Sequence, residues 1–533
     1  MKNIYKYICL SIVSSSFFLG CEVTDFDLQQ NPNNLSPESA NAEYLLNEVQ
    51  FLFQDIMGDM VLNTDDIMRY EALTDSYGQE ITVTLLNLEW TRFYQVLNLS
   101  STIEDLAESD SKFLYHKAIS KLLTGYLTIT FVDYVGPIPY SQALKPNEFP
   151  NPVPDSGVDL YKIVLDNINQ AIEDINAATF DVSTDLFYDS DKSKWIAFAN
   201  SLKLRLLIQT RLASDDIGIS NLNSEINTLL ASDIIDSASE DFVYRFSDVE
   251  EPESRHPYYI RGYISDFDQY IGNYFMWMLK NSKNVRDPRI RYYIYRQSNI
   301  DPFSGPPYLA CQGDPAVDFC YLGEQYWGLD HGEDRTGRGD NEFRSVYGVY
   351  PAGGAFDEDQ FTVARDTDNL GGKGILPILT SSYIKFLTAE AALMLGTNGD
   401  PATLLEEAIR ASMSKVLNFG DVTSSFEPTS NDVDNYITEV ITNYNSAASD
   451  AERLDIIITE YYLASYGNSV EAYNAYRRTG YPSNIQIPIN DDNPTFPRSF
   501  PYPDDAVDVN TSLTQKANTD KVFWDKNPDG FIK

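Results

Sequence analysis

Apolar residues recur at helical spacing along most of the chain, and this periodicity constrains the fold more than any other feature. Behind Ser36 and Pro37, a capping residue and a first-turn proline, Ala42, Leu45, Leu46, Val49, Leu52, Phe53 and Ile56 fall on one face of a long amphipathic helix. Leu160, Ile163, Val164, Ile168, Ala171, Ile172 and Ile175 form a second stripe, and the run from Trp195 to Leu212 a third. Further helices are read at 113–131, 268–279, 382–395, 401–417 and 455–466. Strand alternation is scarce, with ITVTLL (81–86) and RYYIYR (291–296) the most β-like runs. Such a pattern predicts a mostly α protein: a degenerate helical-repeat scaffold, without a fixed period, interrupted by long irregular loops.

The longest interruption lies between about 246 and 370 and is rich in Gly, Pro, Asp and Tyr. Loops of that length inside a compact protein usually carry function. The stretch from Tyr258 to Tyr350 holds 13 of the 36 tyrosines, where an even spread would place about six. Tyrosine and tryptophan offer rigid faces with a polar tip, suited to stacking on sugar rings or packing on peptide side chains. Filling core space between irregular loops is the alternative for any single tyrosine. Tyr326 and Trp327, set between Gly323 and Gly328, are the strongest exposed-aromatic candidates. Asn341, Tyr347 and Tyr350 complete the candidate ligand-binding set, whereas Trp277 in YFMWML is assigned to the core.

The first twenty residues differ in kind. Lys2 and Lys6 precede an uncharged run from Tyr7 to Leu19 that is too short to span a bilayer comfortably, and Gly20 precedes Cys21. This reads as a bacterial lipoprotein signal with Cys21 as the acylated residue, the alternative being a plain signal peptide. The stretch 21–40 then serves as an acidic tether. Cys9 leaves with the signal, so Cys311 and Cys320 remain, closing the short loop CQGDPAVDFC. Outside the cytoplasm a disulfide is expected between them; two free thiols or a metal pair are the alternatives, and neither has histidines nearby.

Acids outnumber bases 79 to 39, a net charge of −40, which excludes a phosphate-backbone partner and disfavours anionic substrates and membrane surfaces. The three histidines, His116, His256 and His331, do not pair at metal spacing, and no HExxH, paired CxxC, P-loop, G-x-G-x-x-G or G-x-S-x-G occurs. No catalytic or metal site is therefore assigned and no cofactor is required. A structural Ca²⁺ is the one ion the acids allow, through Asp330–Glu342 or Asp357-Glu358-Asp359, although neither run has EF-hand spacing and internal pairing with Arg335 and Arg338 is the simpler reading. The Arg286–Arg291 run is a local basic patch with the potential to override the global charge.

Six segments together resemble the SusD/RagB nutrient-binding lipoproteins of the Bacteroidetes outer membrane. They are FVDYVGPIPYSQAL (131–144), KWIAFANSLKLRLLIQTRL (194–212), NVRDPRI (284–290), YIKFLTAEAALMLG (383–396), SYGNSVEAYNAYRRTGYP (465–482) and PRSFPYPDDAVDVN (497–510). The resemblance implies a SusD-like fold of degenerate tetratricopeptide-like helix pairs with long irregular ligand-binding loops. It also implies a non-catalytic, lipid-anchored outer-membrane protein, exposed at the cell surface, that captures an oligosaccharide or oligopeptide. Such a protein acts as a hinged lid on a SusC-like TonB-dependent β-barrel transporter. A surface glycoside hydrolase and a helical-repeat protein-docking adaptor are the alternative readings. The organisation that follows is a signal peptide (1–20), a tether (21–40), an N-terminal helical-repeat part (41–245), a Tyr-rich insert as candidate ligand face (246–370), and C-terminal helices with a closing tail (371–533). The last part is expected to form one body with 41–245.

Overall fold

The computed structural model describes residues 41–532 except 266–268, 305–308, 310, 315–316, 334–338 and 491–494. The signal segment, Cys21 and the tether fall outside the described residues, as do Arg335 and Arg338. Residues from Ala42 onward form one compact unit.

The stripe behind Pro37 becomes α1 (Ala42–Asp65), which packs on α2 (Asn87–Ser109) and α3 (Leu114–Val135). The helix α3 is central, with 19 of its 22 residues buried. It pairs with α4 (Gly157–Ala177), which in turn meets α5 (Lys192–Gln209); the short α6 (Leu222–Leu230) follows. Side-chain caps set several helix starts. Ser156 Oγ accepts from Asp159 N at the head of α4, and Asp191 Oδ1 accepts from Ser193 N and Lys194 N at the head of α5. The helix α7 (Asn273–Lys280) stands in the insert. Beyond it come α8 (Ser381–Leu395), α9 (Pro401–Leu417), α10 (Ser430–Ser446), α11 (Asp450–Ala464) and α12 (Ser469–Thr479), with α8–α9 and α9–α10 packed as successive neighbours. Gly396 and Gly480 close α8 and α12 in the left-handed conformation that glycine adopts without strain.

All eleven residues of α12 are buried, although the sequence SVEAYNAYRRT is polar. Ion pairs from distant elements make this tolerable, because a buried charge needs a partner. Glu471 takes Arg205 at 2.6 Å, Arg478 takes Glu390 at 2.7 Å, and Arg477 donates to the Asp133 and Arg498 carbonyls at 2.7 Å each. Ser469 Oγ donates to Val61 O at 2.7 Å, which fastens the C-terminal helices to α1.

Sheet is confined to three two-stranded antiparallel ladders among the described residues. The pair β1 (Ile138–Pro139) and β2 (Pro154–Asp155) is minimal; β3 (Phe242–Arg245) pairs with β6 (Ile375–Leu379), and β4 (Ile294–Arg296) with β5 (Ser345–Tyr347). The β3–β6 ladder, with Arg245 opposite Ile375, closes the neck of the insert. The expected strand at 81–86 is instead a set of turns, with Leu85 N donating to Thr82 O and Asn87 N to Thr84 O as the chain winds into α2. The alternation there is short and finds no partner strand. RYYIYR splits, its first residues finishing a helical turn and the last three forming β4. No described helix is long and apolar enough to cross a membrane.

Candidate functional site

The tyrosine excess builds core. Of the twelve described tyrosines between 258 and 350, eleven are buried. Irregular loops leave backbone carbonyls without ladder partners, and a phenol brings apolar bulk together with a donor to satisfy them. Tyr263 OH donates to Tyr347 O at 2.6 Å, Tyr295 OH to Thr362 O at 2.8 Å, and Tyr293 OH to Leu463 O at 3.2 Å.

This corrects four of the five expected ligand contacts. Tyr326 and Trp327 are 1% and 2% exposed, so neither presents a face to a ligand. Tyr326 lies under the Arg296 guanidinium, and Trp327 donates to Asp340 at 3.1 Å while stacking on Phe343. Their flanking glycine misled because Gly328 serves close approach: a Cβ there would collide with the Ile271 carbonyl. Tyr347 stacks on Tyr258 and donates to Glu71, and Tyr350 packs edge-on to Phe419, both buried. Trp277, by contrast, is half-buried and lines a small cavity. Cys311 and Cys320 are joined in a disulfide, Cα atoms 5.5 Å apart, and Cys311 packs with Leu309 against Trp327.

Asn341, half-buried, lines a cavity. Gln297, just past β4, organises it: Nε2 donates to Asn341 O and Arg344 O at 3.0 and 2.8 Å, while Oε1 accepts from Ala364 N at 2.9 Å. One buried amide thus holds the 341–344 and 363–365 loops apart at fixed spacing. The opposite wall is the turn through 260–265. His256 Nδ1 accepts from Tyr258 N to start it, Ser265 Oγ donates to Ile260 O to end it, and Tyr259 stacks on Tyr263 inside. The enclosed space is about 370 Å³. Ile264 is 52% exposed, and an exposed Glu342–Arg365 ion pair stands at the lining.

Ser265 also lines a larger cavity of about 770 Å³, floored by α1 and the start of α2. Phe51, 41% exposed, faces it together with Leu88, Tyr244 and Phe246. Its cations are already paired: Arg92 with Asp59 at 2.8 Å, Arg255 with Glu253 at 2.6 Å, and Arg261 with Glu71 at 3.2 Å. Burial holds the Asp55 and Asp59 carboxyls above the ordinary range, against the opposing pull of Arg92. The two cavities therefore offer aromatic and aliphatic faces, amides, a hydroxyl and neutralised ion pairs. Sequence reasoning missed Phe51, whose signal is legible afterwards as a bulky apolar residue off the core-facing stripe of α1.

The other charged motifs are structural. In the Arg286–Arg291 run, Arg286 pairs with Glu324 at 2.8 Å, Arg289 with Asp287 at 2.6 Å and Arg291 with Asp359 at 2.9 Å, so the basic patch is neutralised. Of the carboxylates in the two candidate Ca²⁺ runs, three already accept from the protein. Asp330 takes Asn273 and Gln486, Asp340 takes Tyr270 and Trp327, and Asp357 takes Arg296. Among the described residues no group of three or more His, Cys, Asp or Glu is placed to hold a metal ion. His256 is buried, which depresses its pKa to about 3, and His331 is held well below the usual imidazole range by burial and by Arg69.

A sequence profile described as starch-binding and associating with the outer membrane, SusD-like, matches residues 32–315, more than half of the chain. The chain belongs to the SusD family. A second profile, for SusD and RagB outer-membrane lipoproteins, matches residues 358–523. No functionally curated protein matches the chain by sequence. Solved SusD structures share its fold. A SusD homologue from Bacteroides uniformis is 18% identical with a TM-score of 0.67, over 91% of this chain and 99% of that one. A chitin-binding SusD homologue from Flavobacterium johnsoniae is 20% identical with a TM-score of 0.64, over 91% and 99%. A SusD-like protein from Bacteroides thetaiotaomicron is 19% identical with a TM-score of 0.65, over 91% and 98%. The mostly helical architecture with little sheet is thus the SusD architecture.

Proposed function

We propose that this SusD-family protein captures a neutral oligosaccharide in the paired cavities around the 260–265 turn. It delivers the sugar, as a lid lipid-anchored through Cys21, to a TonB-dependent outer-membrane β-barrel. The observation that carries the ligand class is the pairing of Arg92, Arg255, Arg261 and Arg365 with carboxylates beside open aromatic rings. An anionic ligand finds no uncommitted charge on those arginines, whereas a sugar ring can stack on Phe51 or Phe246 and hydrogen-bond to Asn341 and Ser265. The family's starch-binding description and the chitin-binding Flavobacterium homologue support a glycan over a peptide.

A hydrolytic role is the less supported reading. Of the carboxyls that line the larger cavity, Asp55 and Asp59 share Arg92 and Glu253 pairs with Arg255, so each already serves as a counter-ion. The test is calorimetric titration with maltoheptaose and chitohexaose. Phe51→Ala and Phe246→Ala are each expected to weaken the binding sugar by about fivefold to tenfold, from ~1 kcal/mol of lost ring contact. Unchanged affinity in both variants would remove the larger cavity from the site, and release of shorter sugars during the titration would reinstate the hydrolase.

A further inference from the structure

One tryptophan is set apart from the rest. Trp90, Trp195, Trp327 and Trp524 are buried, whereas Trp277, on α7, is only half-buried and lines a cavity that shares no residue with those around the 260–265 turn. The difference extends to the indole nitrogen. Trp195 Nε1 donates to Asp185 at 2.8 Å, Trp327 Nε1 to Asp340 at 3.1 Å and Trp524 Nε1 to Asp133 at 2.7 Å. Trp277 Nε1 donates to nothing among the described residues, and it is not one of the enclosed, solvent-free atoms. An indole pairs a large apolar face with one donor, so an accessible ring with its donor unspent is placed to receive a partner from outside.

The surroundings suit the ring as a platform. Phe319 lies 5.2 Å away at 31° and Tyr274 6.2 Å away, and these two rings fix the orientation of the indole. With α10, α11 and the 483–484 turn it encloses about 270 Å³, close to the ~300 Å³ lower bound of small-molecule sites. Asn443 and Asn484 bring amides, the latter held by Tyr274 OH at 3.1 Å, while Val440 and Ile456 supply aliphatic surface. The charges in the lining are committed. Lys283 pairs with Glu460 at 2.9 Å, and Asp455 accepts from Ser483 N at 3.1 Å and from Ser483 Oγ. An ionic ligand therefore gains no free counter-ion, and a wholly apolar one would leave the amides and the indole N–H without partners.

We propose that the Trp277 cavity is a second carbohydrate site that takes a single neutral sugar residue. The C–H face of the sugar stacks on the indole, and its hydroxyls bond to Trp277 Nε1 and the Asn443 amide. The assignment stands on these residues and does not rest on the reading of the cavities around the 260–265 turn.

The test combines ligand-observed NMR titration of the whole mature chain with acrylamide quenching of its tryptophan fluorescence. The probes are D-glucose, D-galactose, D-mannose and N-acetyl-D-glucosamine. Because the other four tryptophans are buried, quenching reports chiefly on Trp277. At least one sugar is expected to bind saturably and to shield Trp277 from acrylamide with the same midpoint. By NMR, Trp277→Ala is expected to weaken that binding about tenfold and Asn443→Ala about threefold. Asn443 is exposed, so its variant is expected to keep the parental thermal midpoint, which separates lost binding from lost fold. Phe51→Ala is expected to leave this binding unchanged, which separates the site from the capture cavities. The proposal is overturned by no saturable binding of any of the four sugars, by binding that does not shield Trp277, by binding that survives Trp277→Ala or Asn443→Ala unchanged, or by binding that falls with Phe51→Ala.

Discussion

Replacing Tyr263 with Phe removes a single oxygen and tests whether the tyrosine-rich insert is held by its phenols. The Tyr263 hydroxyl donates to Tyr347 O at 2.6 Å and accepts from Ala355 N at 2.8 Å, inside a side chain that is 4% exposed. The fit leaves no room to readjust, because a Cβ on Gly354 would collide with this same hydroxyl. Phe keeps the ring and its stacking on Tyr259 but strands one backbone carbonyl and one backbone amide. At roughly 1–3 kcal/mol for each unsatisfied buried group, the loss comes to about 2–4 kcal/mol once partial relaxation is allowed. Urea unfolding reads the total, and hydrogen exchange at the Ala355 amide reads it locally, where about 2 kcal/mol corresponds to roughly thirtyfold faster exchange. A loss under ~0.5 kcal/mol with unchanged Ala355 protection would refute the claim that phenols satisfy the irregular backbone.

Two further perturbations probe stability. The Cys311→Ser, Cys320→Ser double variant frees a ten-residue loop and is expected to lose about 2.7 kcal/mol in urea unfolding, with faster proteolysis within 311–320; an unmoved midpoint would deny the bond its stabilising role. Asp66 is pushed up to about 8 by burial, with Glu80 and Glu71 adding to the shift, so the folded chain keeps a proton that the unfolded chain releases near pH 4. The folded state is therefore favoured at low pH, and this share of stability falls as pH rises from about 4 to about 8. Asp66→Asn is expected to flatten that slope and to unfold at a higher temperature than the parent at pH 9; an identical slope at pH 5, 7 and 9 would contradict it.

Periodicity revealed the helices because burial in a helix leaves a stripe, as at 42–56 and 160–175. It could not reveal α12. There the partners of Glu471, Arg477 and Arg478 come from Arg205, Asp133 and Glu390, far away in sequence, so a fully buried helix looks like an exposed one. Gly480 stops the helix in the left-handed conformation, and the two arginines before it are a core ion-pair partner and a carbonyl donor. The tyrosine excess of the insert turns out to be core, since abundance cannot tell a stacking platform from a donor to irregular backbone. Asn341 lines the smaller cavity, whereas Gln297, which shapes it, carries no local signal because its three partners lie 44 to 67 residues away.

The central claim is that a neutral sugar is held around the 260–265 turn and not by Tyr326 and Trp327. Hydrogen–deuterium exchange of the mature chain with and without the oligosaccharide that titrates in calorimetry tests it most directly. The account predicts slowed exchange in 260–265, in 341–344 and in the segment of α1 around Phe51, with 326–327 unchanged. Protection centred on 326–327, with the 260–265 turn unaffected, would contradict it.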